Sequence, residues 1–271
     1  MRLNELTTFA FQFQVHTPPY DNKTLRQALA TGIDRQAYIN QVRNGIGKVA
    51  LSWIPPGMPG YNANLGTDYA FNVTKAKQLL ATALTQLNLS DASKLKLRFQ
   101  YNNAGLNPQL AQFLQAQMST NLGINLTLEP MEAKAFSAMV NANQETWAFF
   151  GWGADYPDPD DWLPQLFGTG AGNNHTTYSN PDFDALSAKA LVELDNTKRL
   201  QYWDQAQTMV MADCPIVCVF YRERFFCLKP WVQGFTYTAM DGQISGDRFF
   251  ELISIDHSKT VAPSTLSTSS T

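Results

Sequence analysis

Charge is what this sequence has least of. Asp, Glu, Lys and Arg make up only 16% of its 271 residues, and they nearly cancel to leave a formal charge of −3. So weak a field gives no reason to expect nucleic acid or an anionic membrane surface as partner, since both are bound through clustered cations. Cysteine is also scarce. Cys214, Cys218 and Cys227 fall within fourteen residues in an apolar stretch, without C-x-x-C spacing or a neighbouring histidine. They read as buried thiols packing as small hydrophobes, with one disulfide plus an odd thiol as the alternative in an oxidising compartment. The three histidines, His16, His175 and His257, are scattered, so no metal cluster and no metal cofactor is expected. No run approaches the roughly 18 apolar residues of a membrane-spanning helix, and Met1 to Glu5 has no signal-peptide core. G-x-S-x-G, P-loop and G-x-G-x-x-G patterns are all missing, so hydrolase, NTPase and dinucleotide readings have no anchor.

What is present is enough apolar material, 44% of residues, to build a sizeable core in one large or two modest domains. Phe9 to Val15 alternates as F-A-F-Q-F-Q-V, a period-two strand with aromatics on one face, ending at Pro18-Pro19. Leu25 to Asn44 has helical spacing, with Asp34 capping a second segment, and Thr74 to Leu87 forms a further helix. The middle alternates most clearly. A strand (Leu95 to Tyr101), a helix begun by Asn107-Pro108 and ended by Gly123, and a strand (Ile124 to Glu129) make a parallel crossover. A helix (Ala133 to Ala142) and a strand (Trp147 to Trp152) continue it, so the fold class is α/β. Two more helices precede strands at Ile216 to Tyr221 and Phe225 to Leu228. The Ser/Thr-rich stretch 256–271 reads as a disordered tail.

From Gly151 the chain reads G-W-G-A-D-Y-P-D-P-D-D-W, with four carboxylates in seven residues. Such a cluster could hold a cation, form an acid/base pair or start a helix. A helix start explains three of them: Asp158 as N-cap, Pro159 in the first position, Asp160 and Asp161 opposing the dipole. Asp155 is left over. It follows the apolar strand W-A-F-F-G-W at the carboxyl end, where open α/β sheets place ligands, and it lies between Trp152 and Tyr156. A carboxylate there suits a ligand cation, although an Asp that only turns the chain has the same signature.

This segment resembles the cleft signature of the bacterial extracellular solute-binding proteins of family 5, the oligopeptide and dipeptide receptors. Three further segments are similar to the family and come in its order: F-Q-V-H-T-P-P-Y-D-N-K-T-L-R-Q-A-L-A-T-G-I-D-R-Q-A-Y (Phe13 to Tyr38), P-P-G-M-P-G-Y (Pro55 to Tyr61) and Y-S-N-P-D-F-D-A-L (Tyr178 to Leu186). The resemblance implies a periplasmic-binding-protein-like fold of type II, with one lobe nearly complete and strands of the second. Residues 1–15 would be a strand segment of the amino-terminal lobe, 16–221 the carboxy-terminal ligand-binding lobe, and 222–255 return strands.

It further implies a non-catalytic, monomeric substrate-binding component of an ABC importer. Such a receptor is periplasmic or extracellular, anchored by lipid through an amino-terminal part, and hands a small peptide to permease subunits in the membrane. Asp155 would meet the peptide's α-amino group and Trp152 would wall the cleft. Gly151 and Gly153 would let the backbone approach, Tyr156 would flank the site, and His175 would reach in from its loop. One departure is visible: some relatives place an arginine for the peptide carboxylate where this chain has Phe149, which leaves open a non-peptide solute such as a nickel chelate, glycan fragment or opine-like compound. Arg222 and Arg224 are expected at the surface or hinge. An acid/base glycoside hydrolase using Asp155 with Asp158, Asp160 or Asp161 is the remaining alternative.

Overall fold

The computed structural model describes residues 2–236, 238–240 and 251–259. Its centre is a six-stranded mixed sheet built from β1 (Arg2–Phe13), β2 (Lys48–Val49), β3 (Leu97–Asn102), β4 (Leu126–Met131), β5 (Trp147–Gly153) and β6 (Ile216–Phe225), in the order β2-β6-β1-β5-β3-β4. β3 pairs in parallel with β4 and β5, as the crossover pattern predicts, whereas β1 runs antiparallel to β5 and β6. Helices α1 (Lys23–Thr31), α2 (Arg35–Gln41), α3 (Val73–Gln86), α4 (Asn107–Leu122), α5 (Ala133–Asn141), α6 (Pro164–Phe167), α7 (Pro181–Val192) and α8 (Asn196–Asp213) complete the body. A small ribbon of β7 (Val232–Gln233) and β8 (Ser254–Ile255) stands apart from the main sheet.

Local chemistry accounts for the helix starts. The Asn22, Asp34 and Asn72 side chains accept from Leu25 N, Ala37 N and Lys75 N at 2.8–2.9 Å, satisfying amides that have no intrahelical partner. Gly123 ends α4 in the left-handed conformation at φ 67°. The aromatic periodicity of β1 is then spent on the core. Phe11 stands edge-on to Phe99 at 5.4 Å, and Phe13 stacks on Trp147 at 5.3 Å and on Tyr20 at 5.6 Å. On the opposite face, Thr8 donates to Trp53 O (2.8 Å), and Trp53 packs on Phe150 and Trp162. The arginines of R-Q-A-L and I-D-R are buried braces. Arg26 donates to the carbonyls of Tyr20, Asp213 and Cys214, and Arg35 to those of Ala30, Tyr69 and Cys218.

Several expectations change. Within residues 1–15, expected as a strand segment of the amino-terminal lobe, 7–13 pair with β5 from Thr7↔Gly153 to Phe13↔Trp147. The two strands expected after residue 216 are one, because β6 runs unbroken to Phe225. Cys214 and Cys218 are buried, with thiols pushed up to about 12 by burial, but Cys227 is exposed. Of the proposed tail, residues 257–259 form a 3-10 turn with Asp256 accepting from Ser258 N, and 260–271 lie outside the described residues.

Candidate functional site

Antiparallel pairing brings the first half of β1 beside the carboxyl end of β5, and the chain leaves the sheet there. Ala154 N donates to Leu6 O at 2.8 Å, which ties the outgoing loop to the irregular stretch of β1 between Asn4 and Thr8. The next residue is Asp155. Its side chain is exposed, and its backbone N–H donates to Asp161 Oδ2 at 3.0 Å. Trp152, half-buried, donates its indole N–H to the same oxygen at 3.2 Å. Tyr156 is exposed, and its hydroxyl accepts from Gln165 Nε2 at 3.3 Å.

The helix-start reading of the other carboxylates is met in a shorter form. Pro159–Asp161 is a single 3-10 turn, and Asp158 caps it by accepting from Asp160 N at 3.1 Å. Arg199, in the first turns of α8, grips both oxygens of Asp158 at 2.7 Å. Burial works against the Asp158 charge, but the Arg199 pair and the Asp160 amide outweigh it and hold the carboxyl below its usual range. Asp160 is shifted the other way, by burial and then by Asp158 beside it. Asp161, in the same turn, is fully buried, and burial raises its pKa. With Asp158 clamped and Asp161 taking two N–H groups, neither is a free acid/base partner for Asp155. Among the described residues, no group of three His, Cys, Asp or Glu is placed to hold a metal ion.

Gly151 has a packing reason of its own. A Cβ on Gly151 would stand 2.6 Å from two ring atoms of Phe9, its cross-strand partner, so packing against the Phe9 ring by itself calls for glycine here. Gly153 is buried opposite Thr7. Phe149 joins the same aromatic row, 5.5 Å from Phe9. His175 is not part of this end at all. Its Nδ1 lies 3.0 Å from Asn143 Oδ1 and its carbonyl accepts from Gln14 Nε2, both at the amino end of β5.

Two features were not read from sequence. An open groove of about 770 Å³ lies beside the acidic segment, between Gly60–Ala63 and the start of α8 at Thr197, Leu200 and Asp204. Glu5 is buried in the irregular stretch of β1 and is held by Arg224 and by Arg222 at 3.1 Å, so both arginines, partly exposed, tie β6 to β1. A carboxylate beside an apolar residue in a strand gives no hint of partners more than 200 positions away.

A mixed sheet with this order, and a polar site at the carboxyl end of its middle strand, is the fold of the type II periplasmic binding proteins. Residues 3–174 match the family described as bacterial extracellular solute-binding proteins, family 5 (middle), and the chain belongs to that family. It is 29% identical over 225 residues to the oligopeptide-binding protein OppA of Bacillus subtilis, covering 82% of this chain and 40% of that protein. It is also 29% identical over 226 residues to heme-binding protein A of Haemophilus influenzae, covering 82% and 41%. The solved structure of HbpA2 from Haemophilus parasuis superimposes with a TM-score of 0.79 at 25% identity, covering 94% of this chain and 49% of that one. The chain thus spans about two fifths of the length of the curated relatives it matches.

Proposed function

We propose that this chain is the carboxy-terminal ligand-binding lobe of a receptor that captures peptides outside the cytoplasm and delivers them to the permease subunits of an ABC importer, binding its ligand without turning it over. One observation carries the reading. Asp155 stands exposed at the carboxyl end of the central sheet, its backbone fixed by Asp161 and its neighbour Trp152 fixed by the same oxygen. A carboxylate held this way in a closing cleft suits a peptide's α-ammonium group, and a charge-assisted bond of that kind contributes roughly 1.5–3 kcal/mol. The 16–221 body, with the 7–13 stretch of β1 paired into its sheet, supplies one wall of the cleft in this reading, the outer parts of β1 and β6 lead toward the second lobe, and the receptor works as a monomer.

A second reading has a specific observation behind it. Phe149 puts an aromatic ring where some relatives carry an arginine, which would weaken carboxylate recognition and favour a less polar, non-peptide solute. Native mass spectrometry of the receptor carrying every residue its gene encodes, purified without refolding, separates the two. A ladder of co-purified peptide masses that disappears in Asp155→Ala is the expected result. A single non-peptide mass indifferent to that substitution would keep the receptor fold and overturn the peptide assignment.

A further inference from the structure

Asp161 is the fully buried carboxylate of the acidic segment, and its hydrogen bonds are unusual for a residue in that position. Oδ2 accepts from the Trp152 indole at 3.2 Å and from the Asp155 amide at 3.0 Å, while Oδ1 is buried with no hydrogen-bond partner among the described residues. A buried anionic oxygen without a partner destabilises a fold, so packing alone would favour an apolar side chain of similar size at this position. Nor does the side chain hold its own turn together. Asp158 caps that turn and is clamped by Arg199, and both side-chain bonds of Asp161 leave the turn for the two residues at the mouth of the site.

We infer that Asp161 is a positioning residue for ligand recognition: one buried oxygen fixes the Asp155 backbone and the Trp152 ring together, keeping the Asp155 carboxylate turned outward to a ligand ammonium beside an aromatic wall. The inference rests on the proposed amino-group role of Asp155. It makes Asp155 and Trp152 a single unit whose geometry is set from beneath, so that loss of the Asp161 acceptor relaxes both at once. Burial, which raises the Asp161 pKa, leaves this function intact, because Oδ2 accepts both N–H groups whether or not Oδ1 carries a proton.

The test uses the complete receptor and two probes, trialanine and N-acetyl-trialanine, with calorimetric affinities and thermal unfolding measured for Asp161→Asn, Asp161→Leu and Asp155→Ala. Asn retains an acceptor oxygen and should keep most of the preference for the free amino terminus. Leu fills the space without an acceptor; its melting temperature should stay near that of the parent while the preference falls roughly tenfold or more. If Asp161→Leu does not fold, Asp161→Ser, whose hydroxyl is too short to reach both donors, replaces it. Were the Leu or Ser variant to weaken both probes equally, leaving the preference intact, Asp161 would be merely structural and the inference overturned. Asp155→Ala tells this apart from failure of the underlying reading: if that variant also keeps the preference, the amino-group role itself is wrong and the inference falls with it.

Discussion

At the carboxyl end of β5 the polar groups are carboxylates, either exposed, as Asp155, or bonded to N–H groups, Asp158 by a guanidinium and an amide and Asp161 by an indole and an amide. At its amino end, roughly 20 Å away along the strand, they are amides around a single acid. Gln12 Nε2 donates to Glu145 Oε1 at 2.8 Å, Gln100 Oε1 accepts from Thr146 N at 2.8 Å, and Gln14 bridges to the Asn143 and His175 carbonyls. Arg199 holds the Asp158 charge at the carboxyl end, whereas burial raises the pKa of Asp161 there and of Glu145 at the amino end. The exposed Asp155 makes the carboxyl end the proposed recognition end, and the amino end is a polar clasp that holds strands in register.

The sharpest contrast is pH. Burial pushes the Glu145 carboxyl from 4.5 up to about 7, with the Gln12 hydrogen bond opposing the shift. The folded state thus binds its proton more tightly than the unfolded chain. The resulting stabilisation is fully present below about pH 4.5 and is lost as pH rises toward about 7. Glu145→Gln keeps an acceptor for Gln12 and does not ionise. It should match the parent near pH 4.5 and exceed it at pH 8 by on the order of 2–3 kcal/mol. Urea unfolding across that range decides the matter, and parallel pH profiles for parent and variant would show that Glu145 is solvated and the two ends alike.

Gly151→Ala tests the other end through packing. Forcing a Cβ to 2.6 Å from the Phe9 ring should cost about 1–3 kcal/mol in thermal unfolding, and much of that cost should vanish in a Phe9→Ala background. A Gly151→Ala chain that is fully stable but has lost ligand would instead assign the glycine to the ligand, as the motif alone suggests.

How far the sequence could carry these conclusions depended on the range of the interaction. Caps such as Asp34 and Asp158, the stop at Gly123 and the crossover from β3 to β5 are local, and their residues announce them. The Asp155 position was legible because a motif marks the strand end. Illegible were the partners set by tertiary pairing: Phe9 over Gly151, Arg199 on Asp158, Glu5 between two arginines. The alternation F-Q-F-Q marked a strand, but it could not say that Gln12 and Gln14 would be buried and satisfied. Asp161 looked like a helix-dipole residue because D-P-D-D has that pattern whether its last member faces water or the core.

His175 provides the smallest expected effect and the cleanest way to break the comparison. The loop G-N-N-H-T-T-Y suggests a side chain free to reach a ligand, yet its ring is bonded to Asn143 at the amino end of β5. Burial holds its pKa below the ordinary 6.5, so the ring is uncharged at neutral pH and its removal breaks no ion pair. The bonds that matter to the clasp run from Gln14 to the His175 and Asn143 carbonyls, which any residue at these positions retains. His175→Ala should therefore cost under about 0.5 kcal/mol in thermal unfolding and change ligand affinity by less than about twofold in the complete receptor. A tenfold loss of affinity with unchanged stability would place ligand contacts at the amino end of the sheet, and the division between a recognition end and a clasp end would have to be abandoned.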